Sequence, residues 1–336
     1  MASRPPRDLA AEFRSGNVRG LARAISLVEQ RDPTVRHLLE ELRDRQQRPR
    51  VLGFTGAPGT GKSTLVDALV AKLRGRGQKV AVVAVDPNSP YSGGAILGDR
   101  IRMQRHALDA GVYIRSMGAR GHLGGLSAAS REAIRLLGAF GFDHVLLETV
   151  GVGQSEIAVA AVADTTVVVL TPGLGDGVQM IKAGIMEIAD VFAVNKADLP
   201  GAQKVVQEVR SMLNMGPKLS WKPPIVMTVA SRAEGLDELL DAVERHHQHL
   251  ESTGQAEERA AARLKDEAAD LVGEWARRQA RKLLDEDGEL ADRLLADRIP
   301  YAAAEEILTQ EGDALVPRAA RGRTKGRAQR NKMEKR

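Results

Sequence analysis

The sequence Gly56-Ala57-Pro58-Gly59-Thr60-Gly61-Lys62-Ser63-Thr64 follows a short apolar run at residues 51–55 and precedes a stretch of helical character. It matches the pattern G-x-x-x-x-G-K-[S/T], in which glycines let backbone N–H groups curl around phosphate oxygens. The helix that follows adds partial positive charge at its N-terminus. We expect Lys62 to reach the β and γ phosphates and the Ser63 hydroxyl to ligate Mg²⁺. The strand–loop–helix context therefore predicts a nucleotide-binding domain.

Short apolar runs alternate with longer amphipathic stretches from residue 51 to about residue 249. Several of the runs are apolar without alternation, which is typical of parallel strands buried on both faces. This order predicts an α/β fold with a doubly wound, mostly parallel sheet. The predicted strands are residues 51–55, 80–85, 112–116, 144–148, 166–171, 191–195 and 225–230.

Helical patterns flank this region on both sides. Leu21, Ile25 and Val28 recur at helical spacing before it, and Pro33 divides that segment into two predicted helices. A second apolar stripe includes Leu264 after it, and this helix packs either on its own domain or, as an arm, on a second subunit. The predicted organisation is a helical N-terminal extension at 1–48, a nucleotide-binding domain at 49–250, a helical dimerisation arm at 251–313 and a basic, disordered tail at 314–336.

Composition excludes several classes of protein. The formal net charge is +5, but residues 317–336 contain nine Lys and Arg against one acidic residue, so the rest of the chain carries −3. The basic character therefore predicts a solvated tail and no specific nucleic-acid partner. The absence of cysteine excludes disulfides, thiolate metal sites and cysteine nucleophiles. No apolar run reaches about 18 residues, so we expect no membrane span and a cytoplasmic protein.

A second motif, Asn195-Lys196-Ala197-Asp198, follows the predicted strand at 191–195. The Asp198 carboxylate can accept two hydrogen bonds, from N1–H and N2–H₂ of guanine, whereas adenine lacks this pair of donors. Lys196 can lay its stem along the base. We expect backbone N–H groups of the loop Val229-Ala230-Ser231 to meet guanine O6. Together with the phosphate loop, the motif predicts GTP and GDP as the nucleotides.

Acidic residues at strand ends are candidates for the magnesium site. Glu148 and Gly151 occupy the places of Asp and Gly in a D-x-x-G motif, and glutamate keeps the charge that serves Mg²⁺ through water. Asp86 ends the strand after the phosphate loop, where its carboxylate can serve magnesium or the attacking water, and its alternative role is that of a turn residue before proline. Asp99 follows a glycine-rich stretch. Gln154 lies three residues after Gly151, which leaves its role in orienting water open.

Two further features carry weaker signals. Residues 173–177 are rich in glycine and lead to Lys182, which predicts a hinge-like loop near the nucleotide. His246, His247 and His249 cluster at helical spacing, which a metal site could use. A solvated helix face is the preferred interpretation, because the cluster is far from the nucleotide motifs in sequence.

Taken together, the motifs resemble those of the MeaB/ArgK family of G proteins. The resemblance covers residues 14–308 and includes the glutamate form of the switch motif, which is typical of that family. The segments that carry it are GAPGTGKST at 56–64, VDPNSPYSGGAILGDRIRM at 85–103, ETVGVGQSE at 148–156, PGLGDGVQMIKAGIMEIADVFAVNKAD at 172–198 and DRIPYAAAEEIL at 297–308.

The resemblance implies a homodimeric GTPase that gates adenosylcobalamin loading and protects an acyl-CoA mutase, most often methylmalonyl-CoA mutase. It implies slow basal hydrolysis that the mutase accelerates. It also assigns Ser63, Asp86, Asp99 and Glu148 to magnesium, and Lys182 to a switch that responds to the mutase. Two alternatives stay open at this stage: a nickel-insertion GTPase of hydrogenase or urease maturation, and a GTP-dependent interaction module with negligible turnover.

Overall fold

The computed structural model describes most of the chain in two compact units, Met1–Arg263 and Leu264–Arg336. The predicted domain boundaries at 48/49, 250/251 and 313/314 stay predictions. The described residues are 6–32, 34–45, 47–86, 103–118, 123–149, 159–173, 186–216, 220–286, 288–297, and positions 300, 301, 304, 305 and 307.

The first unit contains a seven-stranded sheet in which every described strand pairing is parallel. The strand order is β3-β2-β4-β1-β5-β6-β7, so β2, β3 and β4 lie on one side of β1, with β4 next to it, and β5, β6 and β7 follow on the other side. The predicted fold class is confirmed. The strands are β1 Arg50–Thr55, β2 Val80–Asp86, β3 Val112–Gly118, β4 His144–Thr149, β5 Thr165–Leu170, β6 Val191–Val194 and β7 Ile225–Met227.

The strands agree with the apolar runs in the sequence to within two residues at each end, except at the carboxyl end of β7. The predicted strand at 225–230 stops at Met227, and residues Ala230–Arg232 form a short 3₁₀ turn instead. The reason is local: Thr228 N–H still bonds Val194 O in the sheet, whereas Val229 N–H turns to Glu234 O. The carboxyl end of β7 therefore becomes a loop that folds back over the edge of the sheet.

Helices cover both faces of the sheet, and further helices precede and follow the sheet region in sequence. A single helical turn, Met186–Ile188, precedes β6. The longer helices are α1 Pro6–Arg14, α2 Val18–Gln30, α3 Thr34–Glu41, α4 Lys62–Gly75, α5 Leu123–Phe140, α6 Ala202–Met215, α7 Leu236–Ser252, α8 Gln255–Glu286 and α9 Gly288–Asp297.

The N-terminal segment contains three helices, so the prediction of two was wrong. The missed boundary lies at Gly16 and Asn17, where Gly16 adopts φ +75° and the Asn17 side chain accepts a hydrogen bond from Arg19 N–H at 2.9 Å. This is a helix N-cap, which ends α1 and starts α2. Phe13, at 1% exposure, packs edge-to-face on Phe140 of α5 at 5.3 Å, so these helices belong to the core of the first unit.

The long C-terminal helix α8 begins in the first unit and ends in the second. The apolar stripe predicted in this region lies on it, with Leu264, Leu271 and Val272 exposed at 59%, 47% and 66%. Its proposed role as a dimerisation arm stays a prediction. Within the described part of the chain, no helix has both the length and the apolar character needed to cross a membrane.

The parallel arrangement places functional candidates at one edge of the sheet. The glycine-rich loop follows β1, Asp86 ends β2, Glu148 is the second-last residue of β4, and Asn195 directly follows β6. Carboxyl ends of adjacent parallel strands share an edge, and ligands of such folds bind there. Glu148 pairs in register with Phe54, one residue before β1 ends.

Candidate nucleotide-binding site

The loop between β1 and α4 needs glycine at specific positions. Gly56, Gly59 and Gly61 have φ values of +139°, +81° and +88°, which other residues rarely adopt. A Cβ on Gly56 would lie 2.3 Å from Val169 O, and one on Gly61 would lie 2.5 Å from Asn195 Nδ2. The loop is therefore packed against the ends of neighbouring strands, and its curled backbone depends on those glycines.

Lys62 begins α4 and folds back over the glycine-rich loop. Its side chain is buried at 6% exposure, and its ammonium group donates to Gly56 O at 2.6 Å and Ala57 O at 3.0 Å. A buried ammonium needs such acceptors, because desolvation without them is costly. Lys62 thus holds a cation directly above the backbone cradle, where phosphate oxygens can serve as its acceptors.

Ser63 and Glu148, both predicted as magnesium ligands, are in direct contact. Ser63 Oγ donates to Glu148 Oε1 at 2.5 Å, and Glu148 is buried at 3% exposure. A hydroxyl and a carboxylate are hard oxygen ligands of the kind Mg²⁺ selects, and magnesium commonly takes only one or two carboxylates plus substrate phosphates. The donor set therefore fits this ion. Within the described ranges, no group of three or more acidic or histidine side chains forms a metal cluster.

Among the other residues predicted for catalysis or magnesium binding, the structure describes the backbone of Asp86. Asp86 ends β2 at the same edge of the sheet as Glu148, and its backbone is paired with Gly118. Asp99, Gly151, Gln154 and Lys182 lie outside the described residues, as do residues 314–336. Their assigned roles stay predictions.

Asn195 links three separate loops through its side chain. Its amide Nδ2 donates to Thr60 O at 2.9 Å, and its Oδ1 accepts from Ala230 N–H at 3.1 Å and Thr228 Oγ1 at 3.3 Å. Asn195 is buried at 2% exposure, so these bonds are shielded from water. The side chain joins the glycine-rich loop to the loop after β7 across the end of β6.

Lys196 and Asp198 complete an open cleft beside that junction. Lys196 has a left-handed backbone, φ +56°, and its ammonium donates to Gly59 O at 2.8 Å. The stem of Lys196 is thereby drawn toward the glycine-rich loop, with Asp198 two residues further on. The cleft has a volume of about 280 Å³ and is lined by Gly61, Thr64, Asn195, Lys196, Asp198, Leu199, Val229, Ala230 and Ser231.

The loop after β7 contributes a residue that the motif analysis missed. Arg232 Nη1 lies 3.7 Å from Asp198 Oδ2, and Arg232 donates from Nε and Nη2 to the two carboxylate oxygens of Glu234 at 2.8 and 3.3 Å. The hydrogen bonds to Glu234 raise the pKa of the Arg232 guanidinium. The only signal in the sequence was a basic residue directly after the predicted guanine O6 loop.

The histidine cluster was interpreted wrongly at one position. His246 is fully buried at 0% exposure, with Nδ1 2.9 Å from Thr165 Oγ1 and Nε2 3.1 Å from Asp190 Oδ1. Its ring packs on Trp221 at 5.1 Å. His246 therefore ties α7 to the amino ends of β5 and β6, the edge opposite the cleft, and does not belong to a solvated face.

Comparison with known proteins agrees with this geometry. Residues 21–283 match the sequence model of a family described as methylmalonyl Co-A mutase-associated GTPase MeaB. A protein of Pyrococcus horikoshii named as a GTPase is 42% identical over 90% of this chain and 98% of its own. A Caenorhabditis elegans protein, the mitochondrial methylmalonic aciduria type A homolog, is 36% identical over 75% of this chain and 68% of its own.

One solved structure also matches along most of the chain. It is that of an LAO/AO transport system kinase, which superimposes with a TM-score of 0.66 at 26% identity. The match covers 91% of this chain and 97% of the other. The two proteins therefore share a fold along most of their length.

Proposed function

Because the chain belongs to the MeaB family of methylmalonyl-CoA mutase-associated GTPases, we propose that it binds and hydrolyses GTP in the cleft at the carboxyl edge of the sheet, with Mg²⁺. We further propose that this cycle serves an adenosylcobalamin-dependent acyl-CoA mutase, gating cofactor loading and protecting the mutase. The nucleotide part rests on one observation, the Asn195 side chain that joins the two predicted nucleotide loops.

The phosphate side of the proposal rests on Lys62 and the loop before it. Nucleotide phosphates would replace Gly56 O and Ala57 O as acceptors for the ammonium, and the curled backbone would donate N–H groups to them. Ser63 and Glu148 would hold Mg²⁺, which when bound neutralises charge on the β and γ phosphates. Asp86 and Asp99 are proposed as further acids of that site.

The base side rests on Asp198 in the cleft. Its carboxylate would accept from guanine N1–H and N2–H₂, whereas adenine would leave it without donors. Val229 N–H and Ala230 N–H already donate to Glu234 O and Asn195 Oδ1. Contact between the backbone of residues 229–231 and guanine O6 stays a proposal.

The proposed partner is supported by the family, which is described as methylmalonyl Co-A mutase-associated, and by the Caenorhabditis elegans relative, which is named for methylmalonic aciduria type A. We propose that a mutase accelerates GTP hydrolysis and that Lys182 takes part in this response. Gln154 is retained as a candidate for orienting the attacking water. The exposed stripe on α8 that includes Leu264 and Val272 supports the proposed homodimer.

Two measurements test the proposal. Competition binding against a fluorescent GDP analogue, with GTP, GDP, ATP and ADP as competitors, should show clear preference for guanine nucleotides. Phosphate release should be slow for the protein alone and faster with methylmalonyl-CoA mutase added. ATP competing as well as GTP would contradict the nucleotide assignment. Turnover that no acyl-CoA mutase changes would contradict the partner assignment alone.

A further inference from the structure

The loop after β7 has a geometry that the proposed binding of guanine does not by itself require. Ala233 adopts a left-handed backbone, φ +55°, and Glu234 pairs back onto Val229 through two backbone hydrogen bonds of 3.1 and 3.3 Å. Gly235 follows with φ +74°, and a Cβ there would lie 2.1 Å from Met227 O. The position of Glu234 is therefore set by backbone contacts to the end of β7.

Glu234 in turn holds Arg232 in one orientation. The carboxylate accepts from Nε at 2.8 Å and from Nη2 at 3.3 Å, so both oxygens engage one edge of the guanidinium. A two-point contact of this kind fixes a planar fork more firmly than a single hydrogen bond does. Nη1 of Arg232 is the nitrogen that faces Asp198 Oδ2, at 3.7 Å.

The distance between Arg232 and Asp198 determines which kind of interaction the arginine makes with the carboxylate. At 3.7 Å the guanidinium attracts the carboxylate by its charge, but it does not form a hydrogen bond with it. Arg232 therefore attracts the Asp198 carboxylate to one side of the cleft without occupying its hydrogen-bond acceptor sites. Asp198 is about one-third exposed, so without a fixed neighbour its side chain would sample other rotamers in water.

We propose that Arg232 is a positioning residue for guanine recognition: held by Glu234, it orients the Asp198 carboxylate toward the N1–H and N2–H₂ donors of the base. This inference rests on the proposed function of the same cleft, and it adds a residue outside both sequence motifs. Arg232 acts through Asp198, so its contribution depends on how many hydrogen bonds Asp198 makes to the base.

A comparison of GDP with IDP therefore distinguishes a positioning role of Arg232 from stacking on the base or attraction of the nucleotide by charge. Inosine diphosphate lacks the 2-amino group of GDP and offers Asp198 one donor group instead of two. A residue that orients Asp198 matters more for GDP than for IDP. An arginine that stacks on the base, or that attracts the nucleotide by its charge, matters equally for both.

The experiment measures dissociation constants of GDP, IDP and ADP by calorimetry for wild type, Arg232→Gln, Asp198→Ala and the double variant. Arg36→Gln is the matched control, because Arg36 forms a comparable surface ion pair with Glu40 on α3. We expect Arg232→Gln to weaken GDP binding about fivefold, the upper range for an exposed charge pair, and IDP binding less than twofold. In the Asp198→Ala background, Arg232→Gln should have no further effect.

Each outcome gives a definite answer. Equal losses for GDP and IDP that persist in Asp198→Ala would overturn the inference in favour of direct contact with the nucleotide. Unchanged GDP binding in Arg232→Gln would overturn it in favour of an ordinary surface ion pair. Arg232→Lys should restore only part of the affinity, because an ammonium cannot make the two-point contact with Glu234. If wild type binds ADP as well as GDP, the proposed function fails, independently of Arg232.

Discussion

Replacing Asn195 by alanine removes the side chain that joins the two nucleotide loops. The variant leaves Thr60 O, Thr228 Oγ1 and Ala230 N–H without the partners they have at 2.9, 3.3 and 3.1 Å. Asn195 is buried at 2% exposure, so water does not reach these groups without a local rearrangement. The effect should therefore appear both in folding stability and in nucleotide affinity.

The magnitude follows from the three hydrogen bonds. Each intramolecular hydrogen bond contributes about 1 kcal/mol net, and a buried group left without a partner costs about 1–3 kcal/mol. The neighbouring cleft is open, so entering water offsets part of the loss. We expect Asn195→Ala to lower the free energy of unfolding by about 2–4 kcal/mol and to weaken GDP binding by at least about tenfold.

Urea unfolding without nucleotide and titration with a fluorescent GDP analogue measure the two effects separately. Asn214→Ala is the matched control, because Asn214 is an exposed asparagine whose side chain accepts from Lys222 at 2.8 Å. It should change the free energy of unfolding by less than about 0.5 kcal/mol. A change below about 1 kcal/mol in Asn195→Ala, with GDP affinity unaltered, would refute the view that this side chain connects the two loops.

Three other predictions concern single residues. Asp198→Asn should shift preference from guanine toward xanthine nucleotides, whose extra carbonyl needs a donor, and competition binding in which the variant still prefers GDP would contradict this. Lys62→Ala should reduce GTP turnover by about a hundredfold or more, because charge developing on the phosphates loses a cation; phosphate release at the wild-type rate would show that the loop only binds. Burial, with a smaller contribution from the charge of Arg50, lowers the pKa of His144 to about 4 from 6.5. As pH falls, the unfolded state therefore binds a proton at His144 before the folded state does. The free energy of unfolding should fall by about 3 kcal/mol as pH drops from 6.5 to 4. The free energy of unfolding, measured with urea at each pH, should fall less steeply with decreasing pH in His144→Gln than in wild type. An equal dependence on pH in the two proteins would contradict the lowered pKa of His144.

Much of the fold could be predicted because its signals are local. Strands buried on both faces favour continuous apolar runs, as in β1, β4, β5 and β6, and all seven predicted strands became strands of the sheet. The glycine-rich loop could be located because its positive φ values demand glycine at Gly56, Gly59 and Gly61. The boundary between α1 and α2 is also a local signal, carried by the positive φ of Gly16 and the N-cap side chain of Asn17.

The candidate site was predictable as a set of residue types but not as a set of contacts. Ser63 and Glu148 are 85 positions apart, and their hydrogen bond exists because β4 lies beside β1 in the sheet. The Asn195–Thr60 bond spans 135 positions, and it forms because β1 and β6 end at the same edge of the sheet with β5 between them. Motif spacing identifies the chemistry that a residue can perform, whereas strand order decides which residues meet.

The contacts of His246 and Arg232 could not be predicted from the sequence. His246 has the helical spacing of a solvated face, yet Thr165, Asp190 and Trp221 bury it, and those partners come from other parts of the chain. Arg232 carries no motif, and its relation to Asp198 depends on a turn that returns the chain over the end of β7. The sequence by itself determined the strands, the glycine-rich loop and the guanine-type motif, because these depend on backbone preferences and neighbouring residues. Only the tertiary structure decided burial, ion pairing and the joining of the two loops, because those depend on groups that the chain brings together from far apart.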